Sequence, residues 1–166
     1  TCRRQRQMCI RDRGRDIAFH FHPYTNPAAL ADTGPHIISS GNGIFVTDKE
    51  NKTFIEGMSG LWCASLGFNE SELVDAAVNQ MRTLPFYHSF TGKTSNPAID
   101  LAEKLIKIAP EGLEKAFFCN SGSEANDTAI KMVWYYHASQ GMPEKKKVIS
   151  RKRGYHGVTL AAASLT

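Results

Sequence analysis

Long apolar runs are missing from this sequence: stretches such as Leu160 to Ala163 fall far short of the roughly 20 residues a membrane-crossing helix needs. No spanning helix and no membrane partner is expected. Cysteine is also scarce. The four, Cys2, Cys9, Cys63 and Cys119, form no Cys-x-x-Cys pair and no Cys/His set at zinc-site spacing, so no metal site is expected. Cys63 follows Leu61-Trp62 and Cys119 follows Phe117-Phe118, contexts that predict buried, reduced thiols and a cytoplasmic compartment. In that compartment the Asn-x-Ser/Thr matches at Asn51, Asn69 and Asn126 carry no weight. Internal repeats and low-complexity segments are absent too, which excludes a solenoid.

What remains is an ordinary globular composition, 42% hydrophobic over 166 residues with a net charge of +4. The charge is confined to one end. Residues 1–15 hold six arginines (Arg3, Arg4, Arg6, Arg11, Arg13 and Arg15) against Asp12 alone, while residues 16–166 carry 14 basic and 15 acidic side chains. The basic stretch shows no helical or strand period, no signal-peptide core and no recognition-helix or zinc-finger pattern. It reads as a non-native tail, resembling translated adapter sequence, or as a disordered basic arm. Nucleic acid is not an expected partner.

Beyond the tail, His20 to Ala31 reads as irregular. Gly43 to Thr47 and Lys52 to Glu56 predict a hairpin, and Gly57 to Gly67 a loop presenting Trp62. Asn69, with Glu72 three residues on, predicts the cap of a helix ending before Pro85, and Asn96-Pro97 opens a second that stops at Pro110. From Glu114 the elements alternate: a strand at Ala116 to Cys119, a helix from Ser121 to Ser139, a strand at Lys147 to Ser150 and a helix from Val158. That alternation predicts an α/β layer with a parallel sheet. The last helix lacks a stop signal, so the C-terminus reads as a truncation. Residues 16–94 read as one small-domain segment and residues 95–166 as the start of a larger α/β domain.

Two motifs could carry chemistry. Asn120-Ser121-Gly122-Ser123-Glu124 places two hydroxyls and unpaired N–H groups where a helix begins, a seat for phosphate. The same residues also spell an ordinary capping box. Gly154-Tyr155-His156-Gly157 follows a strand and could project an aromatic ring into the crevice where open α/β sheets bind ligands, or could be a plain glycine-rich loop. Thr91-Gly92-Lys93-Thr94 is no P-loop, because Tyr87 stands where the motif's first glycine belongs. Gly41-Asn42-Gly43 lacks a third glycine and leads into a strand, which marks it as a turn.

Taken with His22-Pro23-Tyr24-Thr25, Ile55 to Cys63 and Leu84-Pro85-Phe86-Tyr87, these motifs resemble, in order, the class III aminotransferases of pyridoxal-phosphate (PLP) fold type I. The likeness runs over about residues 17–166, and the Gly-Leu-Trp-Cys block resembles the omega-amino-acid:pyruvate type. The resemblance implies that Ser121, Gly122 and Ser123 bind the PLP phosphate and that Tyr155 stacks on its ring with His156 nearby. Tyr24, Trp62 and Phe90 are implied to wall the substrate pocket, with Tyr24 standing where Phe is common. It further implies amine and keto acid substrates and a homodimer. The family's Schiff-base lysine, pyridine-binding aspartate and substrate-binding arginine are expected beyond Thr166, so no catalytic residue is assigned here. Lys131 and Lys145 to Lys147 read as solvated charge. Other PLP reactions of the class (an aminomutase, a decarboxylase, a diaminopelargonate-forming transaminase) and an inactive fragment are the alternatives.

Overall fold

The computed structural model of the chain describes residues 3–166, with side chains from Ile10 onward. The chain divides into two compact units, Thr1–Tyr87 and His88–Thr166. The first contains α1 (Arg3–Phe19), α2 (Pro27–Thr33), β1 (Ile38–Asn42), β2 (Phe45–Asp48), β3 (Thr53–Ile55), the short turn α3 (Ser59–Trp62) and α4 (Ser71–Thr83). The second contains α5 (Asn96–Ile108), α6 (Gly122–Ser139) and α7 (Leu160–Ala163).

The basic stretch read as a non-native tail or a disordered arm is helical from Arg3. Arg, Gln and Met are good helix formers without any apolar stripe, which is why periodicity missed them. Charge ties the second half of α1 to the β2–β3 turn: Arg13 Nη2 lies 2.8 Å from Glu50 Oε1, and Lys49 Nζ 3.4 Å from Asp12 Oδ2. Thr1, Cys2 and the side chains through Cys9, three of the six arginines included, lie outside the described residues.

The predicted hairpin forms, with Phe45 opposite Ile55, Val46 opposite Phe54 and Thr47 opposite Thr53. It gains an antiparallel neighbour, β1. Ile38-Ser-Ser-Gly-Asn has little strand propensity; its pairing to β2 supplies what propensity does not, and a Cβ at Gly41 would come within 2.8 Å of the Phe68 side chain. Asp48 organises the β2–β3 turn. Its Oδ1 accepts from the N–H groups of Glu50 (3.0 Å) and Lys52 (2.8 Å), and its Oδ2 faces His36 Nε2 at 3.1 Å. The Lys52 N–H foremost, and the His36 contact, hold the Asp48 carboxyl below the ordinary carboxylate range.

Two unforeseen features were written locally. Asn26 caps α2, accepting from Ala28 N and Ala29 N at 3.0 and 3.3 Å with Pro27 behind it. At α4 the cap position is Glu70, with no side-chain bond, because Asn69 is turned to a φ of 60°.

In the second unit α5 and α6 fall where expected. The expected strands at 116–119 and 147–150 are not paired into a ladder. A strand exists through its neighbours' N–H and C=O groups, and neither segment meets one among the described residues. Apolar side chains there stay open, Phe117 at 67% and Ile149 at 96% exposure. Cys63 is exposed and Cys119 partly so, against the expectation of buried thiols. Among the described residues the buried hydrophobic side chains are Val46 and Ala162. No described helix is long and apolar enough to cross a membrane.

Candidate functional site

Ser121, in extended conformation (φ −152°, ψ 159°), caps α6. Its Oγ accepts from Glu124 N at 3.2 Å, and Glu124 Oε2 accepts from Asn120 N at 2.9 Å. The capping box is therefore real. It does not exhaust the site, because the box uses the N–H of Glu124 and leaves those of Gly122 and Ser123, at the first two helical positions, without intrahelical partners. Ser121 Oγ is occupied as an acceptor, and so is Ser123 Oγ, which takes the Val158 N–H at 3.1 Å. Each hydroxyl keeps one proton to donate, and no described acceptor takes either. Two backbone donors and two hydroxyl donors at the positive end of an 18-residue helix favour a doubly charged oxyanion.

The second motif is brought to the first. Gly157 is buried with φ 131°, and a Cβ there would run into Ser123; only glycine lets the loop lie this close. Asn126 Nδ2 donates to His156 O at 2.6 Å. Tyr155 is 64% exposed, and His156 Nε2 is buried with no described hydrogen-bond partner. A ring nitrogen thus stands unspent, turned toward Gly154. The loop carrying Tyr155 and His156 is held to α6 at His156 O, Gly157 and Val158 N, beside the turn of Ser121, Gly122 and Ser123.

The three aromatic residues expected to wall a pocket stand on separate segments. Tyr24 (88% exposed) and Trp62 (77%) belong to the first unit and Phe90 (77%) to the second. Trp62 rides on an unusual turn: Ser59, Gly60, Leu61 and Trp62 have φ values of 50°, 60°, 59° and 70°, the left-handed region that costs a non-glycine residue about 1–2 kcal/mol. Glu56 holds the turn, its carboxylate accepting from the N–H groups of Met58 and Gly60. Strain of this kind fixes the ring's position at the expense of stability.

One cluster was missed in the sequence. Asp16 Oδ1 lies 3.0 Å from His20 Nδ1 and Oδ2 lies 2.7 Å from His22 Nε2, and the three ligating atoms sit within 4.8 Å of one another. The Asp-x3-His-x-His spacing was the available signal. Both carboxylate oxygens are engaged by imidazole nitrogens, which, His22 foremost, keep the Asp16 pKa low; the arrangement is a latch between α1 and the segment carrying Tyr24.

The family described as Aminotransferase class-III matches residues 28–166. A gamma aminobutyrate transaminase 1, mitochondrial, of Solanum lycopersicum is 50% identical over 145 residues, 87% of this chain and 28% of the relative. A putrescine–pyruvate aminotransferase of Pseudomonas aeruginosa is 44% identical over 146 residues, 88% of this chain and 32% of the relative. Among solved structures, an omega transaminase from Pseudomonas jessenii in complex with PMP is 55% identical with a TM-score of 0.90, covering 93% of this chain and 34% of the other. A PMP-bound aminotransferase from Vibrio fluvialis is 37% identical with a TM-score of 0.89, at the same coverage. The chain thus spans about a third of the length of the proteins it matches.

Proposed function

We propose, from the premise that this chain belongs to the class III aminotransferase family and has the PLP type I fold, that it carries the cofactor-phosphate seat of a transaminase. The reaction is transfer of an amino group from an amine or omega-amino acid to a keto acid such as pyruvate. The observation that carries the reading is the donor set at the α6 N-terminus: Gly122 and Ser123 N–H, with both serine hydroxyls oriented by bonds they accept.

These residues fit PLP on their own chemistry. The phosphate needs four or so donors and no facing carboxylate, and the Glu124 side chain is turned back to Asn120 N. A planar ring leaving that phosphate would meet Tyr155 for stacking and the unspent His156 Nε2. When bound, PLP supplies the carbonyl that takes up the amine and the conjugated ring that delocalises charge. The chain's own residues seat and orient: the turn would hold the anion and Tyr155 would fix the ring plane, and the family resemblance alone assigns Tyr24, Trp62 and Phe90 to the substrate side. No lysine of the chain is assigned the covalent role.

By its family resemblance, the full-length protein is proposed to be a homodimer, with the cytoplasm as its compartment. Expressed in its full coding frame, the protein is expected to form alanine from pyruvate and an omega-amine and to retain PLP. Absence of both alanine formation and PLP retention would refute the reading.

A further inference from the structure

We infer that Asp127 and Asn126 are positioning residues that lock the Tyr155–Gly157 loop onto the phosphate turn; the inference rests on the cofactor reading proposed above. Asp127 lies one turn beyond Ser123 on the same face of α6. Its Oδ1 accepts two bonds from residues more than thirty positions away, Thr159 Oγ1 at 2.7 Å and Ala162 N at 2.9 Å. Thr159 is the N-cap residue of α7, yet its side chain makes no cap bond. Its hydroxyl is turned to donate to Asp127, and Asp127 takes the Ala162 N–H that the cap would ordinarily satisfy. Helix α7 is therefore capped from α6.

The loop between is pinned to α6 by Asn126 Nδ2 to His156 O (2.6 Å), Val158 N to Ser123 Oγ (3.1 Å) and Gly157 packed against Ser123, with Thr159 Oγ1 also 3.3 Å from Ser123 O. It is pinned to the C-terminal end by Thr166 Oγ1, which accepts from His156 N and donates to Gly157 O. With Val158 N on its acceptor side, Ser123 Oγ is held in place and keeps its proton to donate. Asp127 maintains that arrangement by holding Thr159, the next residue. Tyr155 gains its place by the same route, since His156 and Gly157 are clamped immediately after it. Asp127 touches neither ring nor phosphate; it acts through Tyr155 and Ser123.

The test is a mutant cycle on the full-length holoenzyme, read as the PLP dissociation constant by absorbance and fluorescence titration. Asp127→Ala is expected to weaken PLP about tenfold, whereas Asp127→Asn, which keeps an oxygen acceptor, stays within about twofold. In a Tyr155→Ala, Ser123→Ala background, which removes both groups it acts through, Asp127→Ala should add less than about twofold, because partners acting through the same groups are not additive. Additive losses, or an unchanged PLP affinity in Asp127→Ala while Ser123→Ala is weakened, would overturn the inference and leave the cofactor reading standing. If Ser123→Ala has no effect either, the cofactor reading itself fails. Should Asp127→Ala not fold, Asn126→Ala serves in the same cycle, with a loss of about threefold expected and an unchanged constant counting against the inference. Asp48→Ala is the stability control: it should lower the melting temperature without moving PLP affinity.

Discussion

The α6 turn of the second unit, proposed to seat the cofactor, and the three aromatic residues proposed to wall the pocket are built in opposite ways. Around α6, side chains bond residues thirty or more positions away: Ser123 Oγ the Val158 N–H, Asn126 Nδ2 the His156 carbonyl, and Asp127 the Thr159 hydroxyl and Ala162 N–H. Around Tyr24, Trp62 and Phe90 the supporting side-chain bonds are local, Asp16 with His22, Glu56 with Met58 and Gly60 N–H, and His88 with Phe90 N–H, and each ring is open to solvent. On the proposed reading, the difference teaches that the α6 turn is preorganised to hold an anion, while the described residues around the three aromatic rings do not enclose a substrate. Preorganisation matters most where charge must be stabilised, and an aromatic wall needs only to be presented for other elements to complete it.

The largest expected effect tests how tightly the cofactor end is drawn together. Gly157→Val places a Cβ against Ser123 at a φ of 131° and should cost about 3 kcal/mol or more by chemical denaturation, with PLP retention lost. A variant of normal stability would dissolve the claim of close approach. Next, Ser123→Ala removes one donor to the anion and the acceptor for Val158, and PLP should bind about ten- to a hundredfold more weakly in equilibrium titration.

An acid titration sharpens the contrast from the first unit. The Asp48 carboxyl is held below its unfolded value of 3.8 by the Lys52 N–H above all, so it contributes stability above that pH and the contribution is lost as pH falls through the lower folded value. Asp48→Asn should flatten the stability loss between neutral pH and pH 3, read by urea melts; an unchanged acid profile would remove the turn from the account. Leu61→Gly relieves a φ of 59° and should stabilise by about 1 kcal/mol, measured in the same melts. The smallest change in stability belongs to Trp62→Ala, within about 0.5 kcal/mol, although KM for an aromatic amine should rise several-fold. A stability loss comparable to Gly157→Val would show that the wall is structural after all.

Much of this contrast could be read in the residues. Ser121 and Glu124 announced the start of α6, Pro85 and Pro110 lie just past the ends of α4 and α5, and the co-linear motifs pointed to the family. Pairing was less legible. β1 escaped because Ser, Gly and Asn give no strand signal until β2 lies beside them, and 116–119 looked like a strand because apolar runs report burial potential rather than a ladder partner. Helix α1 escaped because arginine and glutamine form helices without a periodic apolar face. The clasp at Asp127 was invisible for a different reason: Asn126-Asp127-Thr128 reads as polar helix surface, and only the fold brings Thr159 and Ala162 to it. The left-handed turn under Trp62 has no sequence signature either, since Ser59 and Leu61 carry no preference for positive φ.

The central claim is that the α6 turn is a phosphate seat, and comparing PLP with pyridoxal, which lacks the phosphate, tests it without reference to turnover. On the full-length protein, wild type should prefer PLP strongly, and Ser121→Ala with Ser123→Ala together should erase most of that preference by weakening PLP while leaving pyridoxal nearly unchanged. A double variant that keeps the wild-type ratio of the two dissociation constants would contradict the account.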